Sequence, residues 1–294
     1  MTSGGANTSQ RVLRLSPSAS LLRRSAHELQ FGLDATRAGI VETLPGRARE
    51  LGEVLEQPAT HQQLAQRIQH VGYSLSEAYG LIDDLLVHGI LRPTPREGPI
   101  VVVGELAGIG RVLGRELRGR IRTHSTQSAD LVASASADTP IVVLAPHESP
   151  ELVPLLATKS TVFPVQSIDG AGVIGPLRVR GHGPCILCAD LLRTAVDPLW
   201  ARLRNTVSLA GLEAPARLAT AAALLALIRG LEIPNPSPGQ SGMTAAPGLE
   251  LSCTGFEVRR RVVEQYPLCP LCWARQHPHD VHGTQGLGEV IDNR

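Results

Sequence analysis

Hydrophobic positions recur at short, strand-like intervals at the start of the chain, lengthen to a helical period, and later fill whole runs. From Arg11 the runs at 18–25 (SASLLRRS), 27–33 (HELQFGL) and 38–44 (AGIVETL) predict a three-stranded meander, with 34–37 as a hairpin-sized loop. Alternation at Leu29, Phe31 and Leu33 puts apolar side chains on one face of the middle strand. Helical spacing follows from Ala48 to Leu55, from His61 to Ile68 and from Ser76 to His88. Leu81, Ile82 and Leu85 form an apolar stripe on the third helix, Ser74 or Ser76 with Glu77 supplies its start, and Gly89 its stop. Three strands and three small helices predict a compact unit of winged-helix type over 12–95, after a disordered tail at 1–11. The prolines in RPTPREGP (92–99) predict a linker.

Beyond the linker the apolar runs become near-continuous, as in strands buried on both faces of a parallel sheet. Ile100–Val103 runs through GELAGIG into the helical RVLGRELRGR; TPIVVLAP, TVFPVQSI and AGVIGPLRVR read as strands and SPELVPLLAT as a helix. Strand, glycine turn and helix predict a Rossmann-like α/β body over 96–278. Gly104, Gly108 and Gly110 are the candidate nucleotide-binding residues, but the spacing is altered. Gly-x-Gly-x-x-Gly requires glycines where Leu106 and Ile109 stand, and RIRTHST supplies no acidic ribose ligand. Close strand-to-helix packing explains these glycines more simply than a bound nucleotide. Further on, DLLRTAVDPLWARLRN predicts two helices with Pro198 in the first turn of the second, 215–231 a long Ala/Leu helix, IPNPSPGQSG a loop, and 248–266 a hairpin turning near Thr254-Gly255. Residues 279–294 read as a flexible tail.

At 294 residues, 43% hydrophobic and 19% charged, the chain is a folded two-domain composition; aromatics at 3% leave aliphatic side chains to fill the interior. Lys+Arg 28 against Asp+Glu 27 supplies no field for nucleic acid or acidic lipid. The apolar run from Leu218 to Ile228 lies between Arg217 and Arg229 and is about half a membrane span. The first residues have no apolar core of a secretory signal, so a cytoplasmic protein is expected.

Of five cysteines, four form two Cys-x-x-Cys pairs: Cys185 and Cys188 in GPCILCAD, and Cys269 and Cys272 in PLCPLCWA. Four thiolates suit a closed, structural, tetrahedral Zn²⁺ site. Redox chemistry and plain core cysteines are the alternatives. His277, His279 and His282 would overfill four sulfurs and read as exposed, while Cys253 reads as a small buried hydrophobe. Arg193, Asp197 and Trp200 line a pocket or serve as a helix cap and core. Arg259–Arg261 read as a solvated strand face. No Ser/His/Asp set or paired carboxylates stand out.

These features resemble the ThiF/MoeB adenylyltransferase superfamily, and VIGPLRVRGHGPCILCADLLRTAVDPLW is similar to actinobacterial ThiF-like cyclodehydratase-domain proteins that bind leader peptides in azole-peptide biosynthesis. The resemblance implies a ThiF-type body with a structural zinc, a precursor-peptide partner, a YcaO-type or other modifying enzyme, and a homodimer. In that family's recognition mode the peptide adds a strand beside 38–44 and packs on the third helix. This assigns Ile40, Glu42, Tyr79 and Asp83 to peptide binding. The altered glycine turn and missing ribose ligand leave no expected ATP. A non-catalytic or partner-dependent scaffold is therefore the leading expectation. An ATP-dependent adenylyltransferase acting on a carrier-protein or peptide carboxylate is the alternative. A winged-helix DNA regulator ranks last, because the third helix carries Glu77, Asp83 and Asp84 and no Lys or Arg.

Overall fold

The computed structural model describes residues 11–34, 38–94, 97–123, 128–206, 211–232 and 245–277. The predicted tails other than Arg11, the loop at 34–37 beyond Asp34, the linker residues 95–96 and the loop at 233–242 lie outside them. The chain divides into two compact units, Met1–Arg96 with Arg229–Gly242, and Glu97–Ile228 with Met243–Arg294.

In the first unit, β1 (Val12–Leu15) is followed by β2 (Leu21–Arg23), β3 (Glu28–Phe31) and β4 (Gly39–Glu42). Then come α1 (Ala48–Glu56), β5 (Ala59–Thr60), α2 (His61–His70), α3 (Leu75–Val87) and β6 (Leu91–Pro93). The predicted meander exists as the sheet β2-β3-β4, paired antiparallel with Gln30 opposite Ile40 and Leu29 opposite Val41. A second sheet, β5-β1-β6, takes in part of the expected linker. Pro93 pairs with Leu13 on an edge strand, where a missing N–H is tolerated.

Leu29 and Phe31 are buried as expected, but Leu33 is 81% exposed, because β3 ends at Phe31 and Gly32 turns the chain at φ +92°. α3 starts one residue earlier than expected, closed by a reciprocal capping box: the Ser74 hydroxyl accepts from the Glu77 N–H at 3.2 Å, and the Glu77 carboxylate accepts from the Ser74 N–H at 2.7 Å. Its buried stripe is Ala78, Ile82 and Leu85, packed with Leu51, Leu55, Leu64 and Ile68 of the other helices.

The second unit is built on one seven-stranded sheet. Its elements are β7 (Ile100–Val103), α4 (Ile109–Glu116), β8 (Ile121–Thr123), α5 (Ser128–Ser134), β9 (Ile141–Leu144), α6 (Leu152–Ala157), β10 (Val162–Ile168) and β11 (Ala171–Ile174). They continue with α7 (Ile186–Val196), α8 (Trp200–Thr206), α9 (Ala214–Glu232, in this unit as far as Ile228), β12 (Leu249–Cys253), β13 (Val258–Val262) and α10 (Pro270–Gln276). The order is β13-β12-β11-β10-β9-β7-β8. β8, β7, β9 and β10 run parallel; β11, β12 and β13 are antiparallel. β7 and β9 are buried throughout, which explains their unbroken apolar sequence.

Among the described residues, one helix, Ala214–Leu231, is long and apolar enough to cross a membrane. Here one side of it belongs to a protein core. Thr220, Ala221, Leu224, Leu227 and Ile228 are buried, and Thr220 sits where Gly172 of β11 leaves no room for a Cβ.

Candidate metal centre and edge-strand groove

The two Cys-x-x-Cys pairs start two helices. Cys185 caps α7 and Cys269 caps α10, while Cys188 and Cys272 occupy the first turns. Pro270 fits the first position of α10, where no N–H is needed. This repeated local geometry brings all four sulfurs within 4.8 Å of one another, all buried. The separations are 3.8 Å for Cys185–Cys188, 3.5 Å for Cys185–Cys269 and 3.5 Å for Cys188–Cys272.

A tetrahedral metal with bonds of about 2.3 Å to sulfur spaces its ligands at roughly 3.8 Å. A disulfide needs about 2.05 Å. The cluster therefore fits a metal and not a bridged pair, and its burial denies the access a redox thiol requires. Hydrogen bonding from Cys185, aided by the backbone N–H groups of Tyr266 and Cys185, draws the Cys188 thiol down to about 5. The proton is held on Cys185, whose hydrogen bond to Cys188 pushes it up, and burial raises Cys269. A bound metal would displace the protons that the cysteines still carry.

The other chemical candidates resolve into structural roles. The His277 ring stacks on Trp273 at 4.8 Å and is exposed, outside the cluster. His279 and His282 lie outside the described residues. Cys253 is fully buried on β12, and desolvation raises its thiol. Asp197 accepts from the Leu199 N–H at 2.9 Å, as a helix cap. Arg193 lies 5.2 Å over the Trp200 ring and pairs at 3.0 Å with the buried Glu250, which Arg261 also contacts. Asp190 accepts from Trp200 Nε1 at 3.2 Å and pairs with Arg204. Thus Arg261 serves a buried carboxylate, while Arg259 pairs with exposed Glu257.

The glycine turn explains itself by packing. Gly104 at φ +79° meets the Leu144 carbonyl so closely that a Cβ would overlap it, and Gly108 begins α4 at φ +78°. At Gly110 a Cβ would press on Glu105 and Leu144. Glu105, which the sequence reading passed over, accepts from the Gly108 N–H at 2.8 Å. A carboxylate of the turn itself thus occupies the anion-seeking start of the helix.

In the first unit, β4 is a sheet edge. The Thr43 N–H donates to the His27 carbonyl at 2.8 Å, which fixes the antiparallel phase. Gly39 and Val41 therefore bond toward β3, and the backbone groups of Ile40 and Glu42 point to the open side. A groove of about 890 Å³ runs along this edge, lined by Phe31, Ile40, Val41, Leu81, Leu85 and His88, among others. Ile40 is 51% exposed. Of the four residues assigned to peptide binding, Ile40 lines the groove, Glu42 flanks it on the strand, and Tyr79 and Asp83 engage His61. Tyr79 stacks on that ring at 5.2 Å and Asp83 contacts it at 3.2 Å. On α3 the groove is lined instead by Leu81, Asp84, Leu85 and His88.

The chain matches no family model and none of the curated proteins. Among solved structures it is similar to a heterocyclase in complex with substrate and cofactor, at 14% identity and TM-score 0.54. That match covers 89% of this chain but spans 39% of the heterocyclase. It is also similar to E. coli MccB with selenomethionyl MccA, at 12% identity and TM-score 0.50, covering 89% of this chain and 99% of that one. At these identities the likeness establishes the fold alone, a mixed α/β architecture.

Proposed function

We propose that this chain is a ThiF-type scaffold, without independent catalysis, that binds a precursor peptide and presents it to a partner modifying enzyme in ribosomal peptide biosynthesis. The observation that carries the reading is the groove beside the open edge of β4. There, backbone donors and acceptors of Ile40 and Glu42 face the open side, beside a groove lined by apolar side chains such as Phe31, Leu81 and Leu85 together with the polar Asp84 and His88. Strand addition at such an edge supplies affinity through the main chain and selectivity through the pockets beside it. In this reading residues 12–95 are a winged-helix-like leader-recognition module acting in the cytoplasm. The tetracysteine site holds a structural Zn²⁺, and the body docks a YcaO-type or other modifying enzyme as a homodimer.

The structural neighbours lend support, since one is a heterocyclase with its substrate and the other MccB with MccA. Glu105 at the start of α4 stands against an adenylylating role, because a triphosphate would have to displace it. Calorimetric titration of the intact chain with short peptides encoded beside its gene tests the proposal: saturable binding supports it, and absence of binding by every such peptide removes it.

A further inference from the structure

Arg178 is the bulkiest of the fully buried side chains, 2% exposed. Its guanidinium donates from Nη1 to the Ala157 carbonyl at 2.5 Å and from Nη2 to Cys272 Sγ at 3.7 Å. Among the described residues, Nε has no hydrogen-bond partner and no carboxylate pairs with the group. The other charged group beside it is a like charge, Arg275 of α10, which is itself bonded to the Gly181 carbonyl. Burial and the neighbouring Arg275 both act against its charge.

A guanidinium does not give up its proton in a protein, so burying one requires a compensating anion. Without a metal, no carboxylate among the described residues supplies it, and the four cysteines carry less negative charge than four thiolates would. A divalent metal with four thiolates carries a net charge of −2 and is itself costly to bury without cations nearby. The two uncompensated charges solve each other's problem. We propose that Arg178 is the built-in counter-cation of a buried tetrathiolate metal site, so that the site is matched to a doubly charged metal held by four thiolates. This rests on reading the cysteine cluster as a metal site. It adds that a residue outside the ligand set, on the segment between β11 and the first knuckle, sets how tightly the metal is held.

The test uses the full chain with Zn²⁺ and with Co²⁺ as a spectroscopic probe, in competition with a chromogenic chelator at fixed pH. Arg178→Met is expected to weaken metal binding about 10–100-fold, the range for loss of an outer-shell partner. The substitution is expected to lower the melting temperature of the metal-free chain less than that of the metal-loaded chain, because without metal the cluster carries less negative charge for Arg178 to balance. A residue that only filled space would lower both forms alike, and that result, or unchanged affinity, overturns the proposal. If either metal-free chain fails to melt cooperatively, affinity alone decides. Arg178→Lys, which keeps the charge, should retain most of the affinity, and Arg178→Gln, which keeps only a hydrogen bond, should lose it; equal affinities overturn the proposal. A parent chain that takes up neither metal instead refutes the metal reading itself, a distinguishable failure.

Discussion

Cys188 and Cys272 bring their sulfur atoms to 3.5 Å across 84 positions of sequence, tying the start of α7 to the start of α10. If a metal completes this tie, its binding energy becomes folding energy, roughly 10–16 kcal/mol for thiolate zinc sites. Cys185→Ser is therefore expected to release the metal, measured as metal per chain, and to lower the melting temperature by roughly 10 °C or more. A variant that keeps both metal and melting temperature contradicts the tetracysteine site.

Glu105 predicts the behaviour of the glycine turn. Its carboxylate satisfies the Gly108 N–H, so the intact chain should show neither saturable ATP binding at millimolar levels nor pyrophosphate exchange with candidate carriers. Glu105→Ala should cost about 1 kcal/mol in chemical denaturation, as the loss of a helix-start acceptor does.

The capping box on α3 gives a pH dependence with a definite sign. Hydrogen bonds from Ser74 hold the Glu77 carboxyl below its ordinary value. A depressed folded pKa contributes stability that is present above the unfolded value and lost as pH falls through the folded one. Ser74→Ala should lower stability by about 1 kcal/mol at neutral pH. The gap between the two chains should narrow as the solution is acidified below the usual carboxylate range, followed by urea denaturation across pH.

Because the Ile40 N–H points away from β3, Ile40→Pro removes a donor from the open edge without breaking the ladder. The variant is expected to keep a melting temperature within a few degrees of the parent, roughly a 1 kcal/mol change, and to lose peptide binding by calorimetry. Binding at parental affinity would place the peptide elsewhere.

Elements with several periods of pattern were legible in the sequence. The helices of the first unit, the buried strands β7, β9 and β10, and the β12–β13 hairpin all lie where the apolar spacing put them. What escaped was set by contacts distant in sequence. β5 is two residues long and β6 ends in Pro93, so neither carries a pattern of its own; β1 supplies their partner. Spacing identified the four cysteines, whereas Arg178 lies in the run LRVR and looks like any surface arginine until the fold closes over it. Glu105 did leave a signal, an acidic residue inside a turn that would otherwise cradle phosphate. On α3 the choice between the Tyr79–Asp83 side and the Leu81–Asp84 side depended on where α2 packs, which the helical period alone does not fix.

The most direct test of the scaffold reading is amide hydrogen exchange at Ile40 and Glu42 in the full chain, with and without a saturating precursor peptide. Their N–H groups face the open edge of β4, so strand addition must pair at least one of them. The account predicts slowed exchange at these positions on binding. Saturable binding that leaves both exchange rates unchanged would contradict it.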